Sequence, residues 1–217
     1  RRNWAKAEGF FLPTPEHHVL EEAQSDSRQT GKWSDSEAFT RLLSSLEGRV
    51  NFIIVDTPGS DTPLSKLAHK AADTLITPLN DSFIDFDLLA HIDSTGEKIT
   101  GPSVYSEMVW KARQQRAKAG LAPIDWVVVR NRMGAQRMVN KEKMERAVEN
   151  LSKRIGFRVA PGFNERVVFR ELFPRGLTLL DLKDIGVKQL NISNIAARQE
   201  LRDLIKALNL PGVTADF

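Results

Sequence analysis

Phe52-Ile53-Ile54-Val55-Asp56-Thr57-Pro58-Gly59 is the stretch on which the reading of the fold turns. With Val50 and Asn51 in front of it, the apolar part forms a short, nearly continuous run that stops at a carboxylate. Strands covered on both faces have this pattern, because both sets of alternating side chains must be apolar. The run predicts a central parallel strand ending at Asp56. Apolar strands recur outward from it at Thr74-Leu75-Ile76-Thr77 and Trp126-Val127-Val128-Val129. Helical stretches are predicted between them, around Leu64 to Ala72, Phe83 to His91 and Ser103 to Ala119. Upstream, Ser34 with Glu37 three residues later is a capping-box pattern, and Phe39, Leu42, Leu43 and Leu46 follow at helical spacing, so a helix is expected from about Asp35 to Leu46. Strands alternating with helices define an α/β fold with a mostly parallel sheet in one domain.

The flanks are read in the same way. Residues 1–32 contain Pro13, Pro15 and the polar run from Ser25 to Gly31, and are expected to be mostly loop. Met144, Val148, Leu151 and Ile155 make one apolar stripe of a helix. Phe157 to Ala160 reads as a short strand stopped by Pro161-Gly162, and Arg166 to Leu172 as a short helix stopped by Pro174. Leu201, Leu204, Ile205 and Leu208 mark a terminal amphipathic helix ending before Pro211-Gly212.

Composition narrows the chemistry. The 217 residues include 41% hydrophobic and 27% charged side chains, a globular balance that excludes disordered, collagenous and coiled-coil classes. The absence of cysteine removes disulfides, zinc-thiolate sites and thiol nucleophiles, and fits a reducing, cytoplasmic setting. With no apolar run long enough to span a bilayer and a charged, histidine-containing start, the chain is expected neither to cross a membrane nor to be exported. His17, His18, His69 and His91 are too scattered for a metal site and are expected to be structural or solvated.

A carboxylate at the carboxyl end of a buried strand is where nucleotide-hydrolysing α/β proteins reach magnesium, and a glycine loop after it senses the terminal phosphate. Asp56 and Gly59 suit those roles, although Asp-Thr-Pro-Gly is equally ordinary turn chemistry. The phosphate loop that should accompany them, G-x-x-x-x-G-K-[ST], does not occur. The only Gly-Lys pair, Gly31-Lys32, is followed by Trp33 and has Asp26 at the position of the first glycine. Just past the strand of valines, Asn131 could pair a purine edge through its donor and acceptor together, or simply cap the turn. The guanine-reading pattern Asn-Lys-x-Asp is missing, since Asn140-Lys141-Glu142 leads to Lys143, which argues against GTP.

Charge is unevenly spread. Between Arg130 and Arg170 there are eleven basic and four acidic residues, a local +7 that leaves −4 for the rest of a chain of net charge +3. On a helix through this segment Lys143, Arg146, Lys153 and Arg154 fall on one flank of the apolar stripe, and Glu142, Glu145 and Glu149 on the other. Such sorting favours a phosphate-facing surface, with Arg137, Arg158, Arg166 and Arg170 nearby in sequence.

The strings FIIVDTPG (52–59), ITPLNDSFIDFDLL (76–89), WVVVRNR (126–132), GFRVAPG (156–162), RELFPRGLTLLDL (170–182) and AARQELR (196–202) together resemble the MipZ family within the ParA/MinD group of P-loop ATPases. The resemblance implies a bacterial ATPase that uses ATP and Mg2+, dimerises with ATP bound, and binds DNA non-specifically as the homodimer. It also implies partnership with ParB and inhibition of FtsZ assembly, from a nucleoid-associated gradient off the cell poles, with no membrane partner. Carried over by position, Asp56 is the magnesium-directed catalytic carboxylate and Thr57, Pro58 and Gly59 form the phosphate-sensing loop. Asn131 and the Pro161 turn would hold adenine, and Arg137, Lys141, Lys143, Arg158 and Arg166 would contact DNA. Val139 and Asn164 depart from the family pattern. Members also begin with a strand, a lysine-rich phosphate loop and its helix, so the expectation is an N-terminally truncated member whose 217 residues alone are inactive. Two alternatives compete: a MinD-like membrane-associated ATPase anchored by its terminal helix, and a nucleotide-free DNA-binding module. That helix carries Arg198, Arg202 and Lys206 but no Trp or Phe on its apolar face, so core packing is the expectation.

Overall fold

A computed structural model of the chain describes residues 3–20, 35–80, 83–92, 99–134 and 138–217. In chain order the elements are α1 (Asn3–Ala7), α2 (Asp35–Leu46), α3 (Pro63–Ala71), β1 (Thr74–Asn80), α4 (Phe83–Phe86), β2 (Ala90–Ile92), β3 (Ile99–Pro102) and α5 (Val104–Lys118). They continue with β4 (Asp125–Asn131), α6 (Met138–Ile155), β5 (Arg158–Ala160), α7 (Val167–Leu172), a 3-10 turn (Phe173–Arg175) and α8 (Ile192–Leu208). This is an α/β protein with a parallel three-stranded sheet of order β1-β4-β5. The chain forms two compact units, one of residues 1–15, 76–102 and 126–217, the other of residues 16–75 and 103–125.

In the first unit β4 is the covered strand. Trp126 to Arg130 are all buried, and Val127 and Val128 have no exposure at all. Fully burying one such valine stabilises the fold by roughly 1.5–3 kcal/mol. The Trp126 indole N–H donates to Thr77 Oγ1 at 3.0 Å, satisfying the one polar atom of a buried ring. Pro78 fits β1 because that strand is at the sheet edge, where a missing backbone donor is tolerated. Leu204, Ile205 and Leu208 of α8 cover Val127, Val129 and Ala160, so the apolar face of the terminal helix packs into the core as expected. A second core joins Ala5 to Val168, Leu172, Leu177, Leu179, Leu182 and Ala197.

In the second unit α2 and α5 both pack on α3. The buried Arg116 of α5 fastens the end of α3 by donating to the carbonyls of Lys70 (3.1 Å), Ala71 (3.2 Å) and Ala122 (2.8 Å) and to Asp73 Oδ1 (2.9 Å). His69 is buried against Tyr105 with its Nδ1 on the Ser65 carbonyl at 2.6 Å, the structural role expected of it.

Two expectations need correction. Residues 50–55 form no strand: Val50, Phe52, Ile53, Ile54 and Val55 are all exposed, Ile54 by 93%. An apolar run records suitability for burial, whereas a strand also needs hydrogen-bonding neighbours, and among the described residues none pairs with this segment. The centre of the sheet is β4 instead. The helix expected from Phe83 to His91 ends at Phe86, because burial of Leu89 and Ala90 continues into β2, which pairs antiparallel with β3. The described part of the opening segment is mostly loop as expected, with the short α1 packing on the 3-10 turn while Arg175 lies over the Trp4 ring at 5.1 Å. Elsewhere α2 spans the predicted residues, α3, α5, β4, β5 and α7 lie within one or two residues of expectation, and α8 contains Leu201, Leu204, Ile205 and Leu208 and ends before Pro211 as expected. Ser34, Gly31-Lys32 and Arg137 lie outside the described residues.

Candidate nucleotide and DNA sites

The Asp56–Gly59 turn belongs to the second unit. Asp56, Pro58 and Gly59 are exposed and Thr57 is half-buried. The turn is fastened to the start of α3. Thr62 caps that helix by accepting from the Ser65 N–H at 3.2 Å, Pro63 occupies its first turn, and Ser65 Oγ reaches back to the Pro58 carbonyl at 3.5 Å. Lys66 pairs with Asp61 at 3.1 Å. Among the described residues no three His, Cys, Asp or Glu gather into a metal site. A nucleotide-borne Mg2+ needs no such cage, because it keeps several waters and takes one or two carboxylates plus phosphate oxygens. The single exposed carboxylate of Asp56 fits that mode.

Asn131 and Pro161 belong to the first unit, and the backbone brings them together. After β5, the Phe163 N–H donates to the Arg130 carbonyl at 2.9 Å, Met133 N–H to the Phe163 carbonyl at 3.0 Å, and Glu165 N–H to the Met133 carbonyl at 3.0 Å. The turn therefore extends the β4–β5 pairing along the end of β4, beside Asn131. Gly162 is what allows it: a Cβ there would sit 1.7 Å from the Arg130 carbonyl oxygen. Arg132 turns the chain away with φ 51°, a left-handed conformation uncommon for a residue with a side chain. Asn131 Nδ2 donates to Oδ1 of Asn80, the last residue of β1, at 3.4 Å. β1 and β4 thus end in the same residue type, and the two amides meet.

The basic candidates divide. Arg158 donates from Nη1 to the Ala207 carbonyl and from Nη2 to the Leu208 carbonyl at 3.3 Å, which caps the end of α8. Arg166 clamps Glu200 with two bonds, Nη2 to Oε1 at 2.5 Å and Nε to Oε2 at 3.2 Å, and both side chains are largely buried. The departure at Asn164 has a role here, donating from Nδ2 to Glu200 Oε1 at 2.5 Å and from its backbone N–H to Oε2 at 3.3 Å. Burial opposes ionisation of Glu200, but the bonds from Arg166 and Asn164 and the arginine charge outweigh it and hold the carboxyl below its ordinary range. The bond to Glu200 correspondingly raises Arg166. Arg130 is buried and paired with Glu145 at 2.7 Å. Arg146, Lys153, Arg154 and Arg170 remain exposed, while Lys141 and Lys143 lie on α6 with side chains outside the described set and Arg137 lies outside it altogether.

The parallel three-stranded sheet flanked by helices is an α/β architecture consistent with a P-loop NTPase-like fold. A family profile described as ATPase MipZ matches residues 1–212, and the chain belongs to the MipZ ATPase family. No curated protein matches the chain. No helix among the described residues is long and apolar enough to cross a membrane.

Proposed function

We propose that this chain acts in placing the division site as a ParA-type ATPase. In this reading ATP and Mg2+ drive formation of a homodimer, the dimer binds DNA without sequence preference, ParB recruits it, and it inhibits FtsZ assembly. The carrying observation is the family match over residues 1–212. Asp56 would hold the water-clad Mg2+, Thr57, Pro58 and Gly59 would face the terminal phosphate, and Asn131 with the Pro161 turn would take adenine. That turn supports the base reading by lying hydrogen-bonded along the end of β4. For DNA we look to α6, with exposed Arg146, Lys153 and Arg154 joined by Lys141 and Lys143, and to Arg137 just before it. Arg158 and Arg166 serve first as structural clamps, so their contribution to phosphate contacts is secondary.

The 217 residues contain no phosphate loop, so we also propose that this polypeptide alone neither binds ATP tightly nor hydrolyses it. Purified chain incubated with Mg-ATP should release no phosphate above background, and Asp56→Ala should change nothing. Magnesium-dependent turnover by the chain would refute that. The wider reading is tested by the codons upstream of Arg1, where an in-frame strand and a glycine- and lysine-rich loop are expected. Their absence would favour the nucleotide-free DNA-binding module.

A further inference from the structure

β1 and β4 are neighbours in the sheet, and both end in asparagine. Through its Nδ2, Asn131 donates to Asn80 Oδ1 at 3.4 Å, which consumes one of its two N–H groups. Asn80 is anchored in turn, its backbone N–H donating to Asp85 Oδ2 at 3.1 Å.

A free asparagine amide can flip end for end, exchanging its acceptor and its donors. Its preference between purines then vanishes. Adenine offers a 6-amino donor beside ring-nitrogen acceptors, whereas a 6-oxopurine offers an acceptor beside the N1 proton. An amide fixed with Nδ2 on a neighbour keeps Oδ1 and its second N–H for the ligand in one order only, and that order is read by adenine-type edges. The neighbour is held at its backbone by the bond to Asp85, and it presents Oδ1 to Asn131.

We propose that Asn80 is a positioning residue: it fixes the amide of Asn131 and so makes the strand-end site selective for 6-aminopurines over 6-oxopurines. The proposal rests on the reading of Asn131 as the base contact and adds the residue that sets its selectivity. Asn80 is exposed, so replacing its side chain opens no core.

The test uses the 217-residue chain, with adenosine, inosine and purine riboside titrated at millimolar concentration and the side-chain amide signals of Asn131 followed by NMR. The wild-type chain should prefer adenosine over inosine by about tenfold. Asn80→Asp, which keeps an acceptor facing Nδ2, should retain that ratio, and Asn80→Leu should reduce it to about twofold or less with backbone signals otherwise unchanged. An unchanged ratio in Asn80→Leu, with adenosine still moving the Asn131 amide, overturns the positioning role alone. Purine riboside, which lacks the 6-amino group, binding the wild type as well as adenosine does would also overturn it. No nucleoside moving the Asn131 amide would remove the base contact itself, and the proposal with it.

Discussion

At Glu200 one carboxylate holds together the turn after β5, the start of α7 and the middle of α8, through Asn164 and Arg166. Its folded pKa is depressed below the ordinary 4.5, so the clamp contributes fully above that value and its contribution is lost as pH falls through the folded pKa. Glu200→Gln should flatten the acid limb of a stability-versus-pH curve and cost about 1–3 kcal/mol at neutral pH, because Arg166 loses its charged acceptor. Chemical denaturation across the acid range would show it. Gly162 is the second decisive residue. With the Arg130 carbonyl 1.7 Å from where a Cβ would go, Gly162→Ala must push the turn off β4. A loss of about 1–3 kcal/mol in urea denaturation is expected. Neither role was visible in the sequence, where Gly162 read only as a strand stop and Arg166 as a phosphate ligand. Both depend on partners distant in the chain.

Local signals placed the elements that carry their own instructions. Thr62 and Pro63 start α3, Ser103 starts α5 by accepting from the Ser106 N–H, and Asn209 ends α8 in a left-handed conformation just before Pro211. Buried Val148 and Leu151 confirm the stripe read for α6. The run from Val50 to Val55 fails because its apolar character has no covering layer, and this separates two outcomes. A covered strand would lose about 2–5 kcal/mol on truncating Ile54, whereas an exposed one should change by no more than about 0.5 kcal/mol. Ile54→Ser is therefore expected to leave the denaturation midpoint nearly unmoved.

For the molecule as a whole, charge is the property that links fold to function. Of the basic residues between Arg130 and Arg170, Arg130, Arg158 and Arg166 are committed to internal partners, and among the described residues the exposed positive charge lies on Arg132, α6 and Arg170. If about five phosphates are neutralised by the DNA-bound form, the log–log salt slope should be near −4.5, and Arg154→Ala should reduce it by about one. Arg166→Ala should lower stability with little effect on the slope. Anisotropy titrations across a salt series would test both, and an affinity independent of salt would reject the patch.

The sequence by itself determined the α/β class and most helix and strand positions, because propensity and capping are written over a few neighbouring residues, and its motif strings carried the resemblance to the family that the match over residues 1–212 shows. Only the tertiary structure decided that β4 rather than the run before Asp56 is the covered strand, which arginines face solvent, and that Asn80 meets Asn131. Those outcomes depend on pairings between residues tens of positions apart, and no local pattern encodes which partner a strand edge, a guanidinium or an amide will find.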